Sequence, residues 1–187
     1  MSEKAPAPAT PAALTSYAIM TWLAGAFMVG LVNPTASYLA GIVGIVAFIP
    51  LVTTGITSLR MGDLAGGNTF LYFAAFFALG SGLCWLALYF AGIYGWTYDI
   101  RILGWEWLIL ATVLTLTTPA FARPRTILIS ISIVDPALYI SALCYLGILG
   151  TEAAFIGGVL YFIAGALAWY TAAAIILGSA GIKLPIG

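Results

Sequence analysis

The sequence predicts an all-α membrane protein built as a bundle of six transmembrane helices. Of its 187 residues, 63% are hydrophobic and only 6% are charged, and the mean hydropathy is +1.12. Soluble domains carry about 25% charged residues, so the chain lies outside their range. Its apolar segments are continuous and do not alternate with polar residues, which favours helices over the strands of a barrel. We therefore expect a multi-pass protein of the cell membrane.

Six apolar segments are long enough to cross a bilayer, which takes about 20 residues per helix. They are Leu14 to Val32, Ala36 to Leu59, Phe70 to Tyr94, Ile102 to Ala122, Thr126 to Leu149 and Ala153 to Ala180. Short loops join them, so neighbouring helices are predicted to be antiparallel. We expect 1–13, rich in Ala and Pro, to be a flexible cytoplasmic tail, 14–180 the transmembrane domain and 181–187 a short C-terminal tail.

The basic residues predict the orientation of the bundle. Arg101 lies alone on one side of the predicted membrane, and the other basic residues lie on the side of both termini: Lys4, Arg60, Arg123, Arg125 and Lys183. Lys and Arg concentrate in cytoplasmic loops of membrane proteins. Both termini are therefore expected to be cytoplasmic, and the third loop, rich in Trp and Tyr, is expected to lie at the outer interface.

Two helices carry residues that point to their packing. In the second helix, Thr53 and Thr54 follow Pro50, and their hydroxyls can satisfy backbone groups that a proline kink releases. In the sixth helix, small residues recur every four positions, at Ala164, Ala168 and Ala172. Small residues let another helix approach closely, so this stripe is interpreted as a packing face or a face between subunits.

The fifth helix carries the most informative residue, Asp135, near the middle of an apolar segment. A charge at the centre of a bilayer costs between ~2.5 and more than 10 kcal/mol, so such residues usually mark a transport path. Ser132 and Tyr139 share its helix face, and Pro136 leaves the Ser132 carbonyl without its usual donor. Burial disfavours a charged carboxyl, which makes Asp135 a candidate for proton coupling. The alternative is that Asp135 pairs with a neighbouring helix and only fixes its register.

Several functions are disfavoured by what the sequence lacks. It has no histidine, and its lysines, Lys4 and Lys183, lie outside the apolar segments. Cys84 and Cys144 stand alone within apolar segments, so no metal site is expected. The same lack of acid, base and nucleophile groups predicts no catalytic residues, no cofactor and no enzymatic activity. The net charge is zero, so nucleic acid is not an expected partner.

Short motifs resemble those of one family of transporters. Gly67-Asn68-Thr69-Phe70 lies at the predicted start of the third helix, and Leu184-Pro185-Ile186-Gly187 follows a sixth helix that contains Ala168-Trp169-Tyr170. Together with six spans, these motifs resemble the acetate uptake transporter family, the succinate/acetate permeases. Before the first helix, Pro11, Ala12 and Leu14 match the family's Asn-Pro-Ala-Pro-Leu-Gly motif. The chain is similar to a distant member.

The resemblance implies transport of small monocarboxylates such as acetate, with succinate as a further candidate, in a channel or by proton symport. It also implies a ring-shaped homohexamer in membrane lipid, with a separate pore in each subunit. Family members narrow the pore with apolar side chains, which match Ile19 in the first helix and, in the third, Leu79, or Ala78 if no insertion is allowed. The family's third constriction residue lies in the fifth helix, and it corresponds to a position at or near Asp135.

The substrate pathway is then expected to include Asn68, Thr69, Phe70, Ser132, Asp135 and Tyr139. Asn68 and Thr69 would bind a carboxylate at the start of the third helix, where the helix dipole favours an anion. Asn68 has a second interpretation as the residue that caps this helix. Two other functions remain open: a channel for small neutral solutes, namely water, urea, ammonia or undissociated acid, and an accessory membrane subunit that transports nothing.

Overall fold

The computed structural model describes residues 9–120 and 124–187. In these two ranges the chain forms six long helices, which confirms the predicted bundle. They are α1 (Thr10–Met28), α2 (Ser37–Arg60), α3 (Leu64–Tyr94), α4 (Arg101–Thr117), α5 (Arg125–Tyr145) and α6 (Thr151–Ser179). Five of them, α2 to α6, are long and apolar enough to cross a membrane. The chain is a multi-pass integral membrane protein.

Helix α1 differs from the other five because polar residues interrupt its apolar sequence. Thr15, Ser16, Tyr17 and Thr21 lie within its 19 residues. It begins at Thr10, so the last residues of the expected 1–13 tail are helical, and residues 1–8 of that tail lie outside the described ranges.

Helix α3 begins six residues before the predicted start at Phe70. Its first residue is Leu64, because Asp63 caps it: the Gly66 amide donates a hydrogen bond to Asp63 Oδ1 at 2.8 Å. The middle of α3, Phe73–Gly80, is a π-helix, whose hydrogen bonds span five residues where an α-helix spans four. The prediction missed the first turns because Asp63 and the glycines after it have low hydropathy.

The small residues of α6 pack against α1 and α5 within the same chain. A Cβ atom added to Gly25 of α1 would lie 2.9 Å from the Gly158 carbonyl oxygen, so neither helix tolerates a larger side chain there. Ala164 and Ala168 are fully buried, and the Ala164 carbonyl accepts a hydrogen bond from Ser130 of α5 at 2.8 Å. The stripe is therefore a packing face, and its interpretation as a face between subunits is wrong.

The segment after α6 lies against the start of α5. The Thr126 amide donates to the Ile186 carbonyl at 3.2 Å, and the Tyr170 hydroxyl donates to the Pro185 carbonyl at 3.1 Å. Because α5 begins at this end, the amide of Thr126 has no partner within its own helix. The tail expected at 181–187 is thus held in place by hydrogen bonds to both helices.

Candidate functional site: an aromatic column between two cavities

Aromatic side chains from five helices meet inside the bundle. We call them the aromatic column: Tyr17 of α1, Phe73 and Phe77 of α3, Trp107 of α4, Tyr145 of α5 and Tyr161 of α6. Their rings follow one another, with centroid distances of 4.7 Å from Tyr17 to Phe73 and 5.6 Å from Phe73 to Phe77. Trp107 lies 5.8 Å from Phe77 and 5.6 Å from Tyr145. The column therefore extends along the bundle.

Two neighbouring cavities approach the column from the end that holds the loop between α3 and α4. The larger, of about 580 Å³, is lined by Phe27, Trp85 and Tyr145 and by loop residues that include Tyr98 and Ile100. A second cavity, of about 170 Å³, is also lined by Phe27, Trp85 and Tyr145. It extends to Trp107 and Ser141. We refer to the pair as the outer cavity.

A smaller cavity of about 30 Å³ approaches the column from the opposite end, and we call it the inner cavity. Its lining includes Tyr17 and Phe73 of the column together with Thr69, Phe70 and Ser130. Between the two cavities lie Phe77 and Tyr161, whose rings are 6.2 Å apart and stacked. Both are at most 1% exposed, so they form a closed point between the two cavities.

Hydroxyl groups lie on each side of this closed point. On the outer side, Tyr161 Oη and Ser141 Oγ are 3.0 Å apart. Either hydroxyl of this pair can be the donor, and Ser141 Oγ also lies 2.9 Å from the Ala137 carbonyl and 3.1 Å from Met28 Sδ. On the inner side, the buried Tyr17 hydroxyl has no hydrogen-bond partner.

A solved structure described as the bacterial acetate channel SatP matches nearly the whole chain. The TM-score is 0.72 at 19% sequence identity, and the match covers 97% of this chain and 99% of that one. The chain has the fold of this channel. The likeness of fold that the motifs predicted is thereby confirmed. No protein-family model matches the sequence, and no curated protein matches it.

The motif at Gly67–Phe70 contributes two residues to the lining of the inner cavity. Thr69 and Phe70 line the inner cavity. Asn68 does not: its side-chain amide donates to the Leu64 carbonyl of the preceding turn at 2.8 Å. Because α3 begins at Leu64 and Asp63 caps it, Asn68 is neither the cap nor at the helix N-terminus. Of the two residues predicted to bind a carboxylate, Thr69 lines the inner cavity and Asn68 does not.

Asp135 is buried against α4, away from both cavities. Its side chain is 6% exposed, and Oδ2 lies 3.0 Å from the hydroxyl of Thr118, in the short 3-10 turn that follows α4. Tyr139 donates to the Thr112 hydroxyl of α4 at 3.2 Å, and Ser132 is exposed and bonds within its own helix. The shared face of these residues thus meets α4 and does not line the column.

The structure places the two predicted constriction residues away from the described cavities. Ile19 is 44% exposed on the outside of the bundle, and the half-buried Leu79 lines neither cavity. Each lies two residues after a column residue, Tyr17 or Phe77, and two residues of an α-helix turn the side chain by about 200°. The closed point is instead formed by Phe77 and Tyr161. The four-residue spacing of Phe73 and Phe77 was the signal that could have found it.

Two residues of opposite charge form an ion pair at the mouth of the outer cavity. Arg101 Nη2 lies 2.6 Å from Asp99 Oδ2, and both residues are exposed. The hydrogen bonds from Arg101 lower the pKa of Asp99 to about 2. Tyr98 and Ile100, which flank Asp99, line the outer cavity. The ion pair therefore adds no net charge at the mouth.

Proposed function

We propose that this protein is a distant member of the acetate uptake transporter family and conducts small monocarboxylic acids such as acetate through the interior of the bundle. The observation that carries the proposal is the aromatic column, which two cavities approach from opposite ends. The fold supports it, because the solved structure that matches 97% of the chain is that of an acetate channel.

The column explains how such a path stays closed to ions. Phe77 and Tyr161 are packed against each other without room for water, and apolar constrictions of this kind gate by excluding water. A hydrated ion would have to give up its water among aromatic rings, which is unfavourable. A small acid with a methyl group meets a lower barrier once the rings rotate.

Asp135 enters the proposal as a proton-holding residue beside the path. Its carboxyl is 6% exposed and accepts a hydrogen bond from the Thr118 hydroxyl at 3.0 Å. Burial disfavours the charged form of a carboxyl. We propose that Asp135 exchanges a proton during transport and that this exchange couples transport to a proton gradient.

A second candidate, a channel for small neutral solutes, is favoured by the lining of the path. Among the described residues that line the cavities or form the column, none is Lys or Arg. Anion pathways usually carry rings of basic side chains. A path for undissociated acid, urea, ammonia or water does not need such basic side chains.

Flux into vesicles tests these functions. Purified protein in liposomes should take up radiolabelled acetate faster than protein-free liposomes, and formate should compete better than succinate because the path is narrow. An inward proton gradient should accelerate uptake if the transport is coupled. Uptake of urea without any effect on acetate would favour the neutral-solute channel, and no flux of either would favour an accessory subunit.

We also propose that the protein forms the ring-shaped homohexamer that the family resemblance implies. Each subunit contains its own column and cavities, so a separate path per subunit is compatible with the fold. Native mass spectrometry of the purified protein in detergent tests the stoichiometry, and a monomer that transports acetate would show that assembly is not required.

A further inference from the structure

We propose that a cavity between α3 and α4, outside the aromatic column, binds an organic ammonium ion whose charge lies beside Glu106. We call it the Glu106 cavity, and it is lined by Tyr72 and Phe76 of α3 and by Glu106, Ile109, Leu110 and Val113 of α4. It shares no lining residue with the inner or the outer cavity. The inference therefore goes beyond the proposed transport function and does not depend on it.

The first argument is the depth of the Glu106 carboxyl in the bundle. A Cβ atom added to Gly80 would lie 2.7 Å from Glu106 Oε1, so the carboxyl lies against the backbone of α3 at that residue. Gly80 is close to the middle of the 31-residue helix α3, ~21 Å along its axis from the end at Tyr94. The carboxyl thus lies within the apolar layer of the membrane, where an ionisable group is costly and usually marks a functional site.

The second argument is that this carboxyl lacks a partner. Glu106 is half-buried, and among residues 9–120 and 124–187 no group donates a hydrogen bond to it and no basic side chain forms an ion pair with it. Arg101, the basic residue of α4, is bound to Asp99. Ionisable residues inside a membrane protein almost always pair with another group. A cation in the cavity supplies the partner that the described residues do not.

The third argument is the local structure of α3 opposite Glu106. Gly80 is the last residue of the π-helix Phe73–Gly80, and short π-helical segments occur frequently at functional sites. A side chain at position 80 would displace the Glu106 carboxyl from its place against α3. The glycine therefore makes room for the carboxyl beside the cavity.

The lining and the size of the Glu106 cavity define the ligand. Its volume is about 340 Å³, within the ~300–1,000 Å³ of small-molecule pockets. Glu106 is the one charged residue of the lining, and aromatic rings such as those of Tyr72 and Phe76 attract cations to their faces. The other lining side chains are aliphatic. A protonated amine with a compact apolar body matches this lining, whereas the acyl chain of a lipid would leave the carboxyl without a partner.

Amantadine, a rigid hydrocarbon cage with one ammonium group, is the probe. Tritiated amantadine should bind saturably to the protein in lipid nanodiscs, above the level of protein-free nanodiscs. Adamantanol, which has the same cage and no charge, should compete much more weakly. Glu106→Gln, which keeps the shape of the side chain and removes its charge, should raise the Kd for amantadine about tenfold, as expected when a charged hydrogen bond is lost. Glu152→Gln, at an exposed acidic residue in the first turn of α6, should leave the Kd unchanged.

The binding results can overturn the inference in two ways. No saturable binding to the wild type would show that lipid or a neighbouring subunit fills the cavity. Equal competition by adamantanol, or an unchanged Kd in Glu106→Gln, would show that the carboxyl does not hold the ligand. Should Glu106→Gln fail to fold, as judged by size-exclusion chromatography, the competition between amantadine and adamantanol on the wild type decides. None of these measurements involves acetate flux, so the proposed function stands or fails separately.

Discussion

The hydroxyl of Thr118 lies between two acceptors, the Leu114 carbonyl at 2.8 Å and Asp135 Oδ2 at 3.0 Å. The Leu114 carbonyl also accepts from the Thr118 amide, so the Thr118 hydroxyl is free to donate to Asp135. Asp135 Oδ1 is buried without a partner, which a neutral carboxyl tolerates better than a charged one. The contact between the end of α4 and α5 thus includes a hydrogen bond from Thr118 to a buried carboxyl.

Asp135→Asn is predicted to keep the fold and lose the response to a proton gradient. The asparagine side-chain oxygen can accept from Thr118 as Asp135 Oδ2 does, so thermal stability in detergent should stay close to that of the wild type. Acetate uptake should continue without a gradient, and an inward proton gradient should no longer accelerate it. Asp135→Ala, which leaves Thr118 without its partner, should lose about 1–3 kcal/mol of stability. A gradient response that persists in Asp135→Asn would remove Asp135 from the coupling mechanism.

Phe77→Ala is predicted to open the column. Phe77 is 1% exposed and contacts Tyr17, Phe73, Trp107 and Tyr161. Its truncation should widen the path enough for larger acids such as butyrate, at a loss of about 3–5 kcal/mol of stability. Phe76→Ala is the matched control, because Phe76 is 46% exposed on the outside. Equal selectivity in the two variants would show that the column is not the filter.

Ile19→Ala is predicted to leave acetate uptake unchanged. Ile19 is 44% exposed and lines neither cavity, whereas the next residue, Met20, is 0% exposed within the core. Met20→Ala should cost about 2–5 kcal/mol of stability and Ile19→Ala much less. Thermal unfolding and flux measured on both variants check the assignment. A specific loss of acetate flux in Ile19→Ala would restore its predicted place in the constriction.

Gly25→Ala is predicted to destabilise the contact between α1 and α6. The added Cβ would lie 2.9 Å from the Gly158 carbonyl oxygen and 3.3 Å from Tyr161 Cβ, so the helices must move apart. A loss of about 1–3 kcal/mol is expected, as for other overpacked contacts. Gly92→Ala meets nothing within 4 Å and should be neutral or slightly stabilising. Equal melting temperatures for the two variants would contradict this packing.

The ion pair at the outer mouth is predicted to have no part in pH dependence between pH 4 and pH 8. Arg101 lowers the pKa of Asp99 from its usual 3.8 to about 2. A carboxyl with a lowered pKa contributes stability that is complete above its usual value and is lost as the pH falls through about 2. Asp99→Asn should therefore leave the pH profile of acetate uptake unchanged above pH 4. A shift of that profile would place Asp99 on the path.

The sequence by itself determined the helices and the membrane, because the length and hydropathy of a segment report its ability to cross a bilayer. It also identified Thr69 and Phe70, which line the inner cavity. It did not determine which face of a helix points inward. Lipid and the interior of a bundle are equally apolar, so these helices lack the polar face that orients a helix in water.

Only the tertiary structure decided that Tyr17 lies inside while Ile19 lies outside, and that Asp135 meets Thr118 and not the column. The start of α3 depended on the Asp63 cap, a local contact that hydropathy does not register. Residues far apart in the chain, such as Phe77 and Tyr161, meet only when α3 and α6 pack together. Side-chain shape and hydrogen bonding between helices set these contacts, and neither is encoded in the hydropathy of one segment.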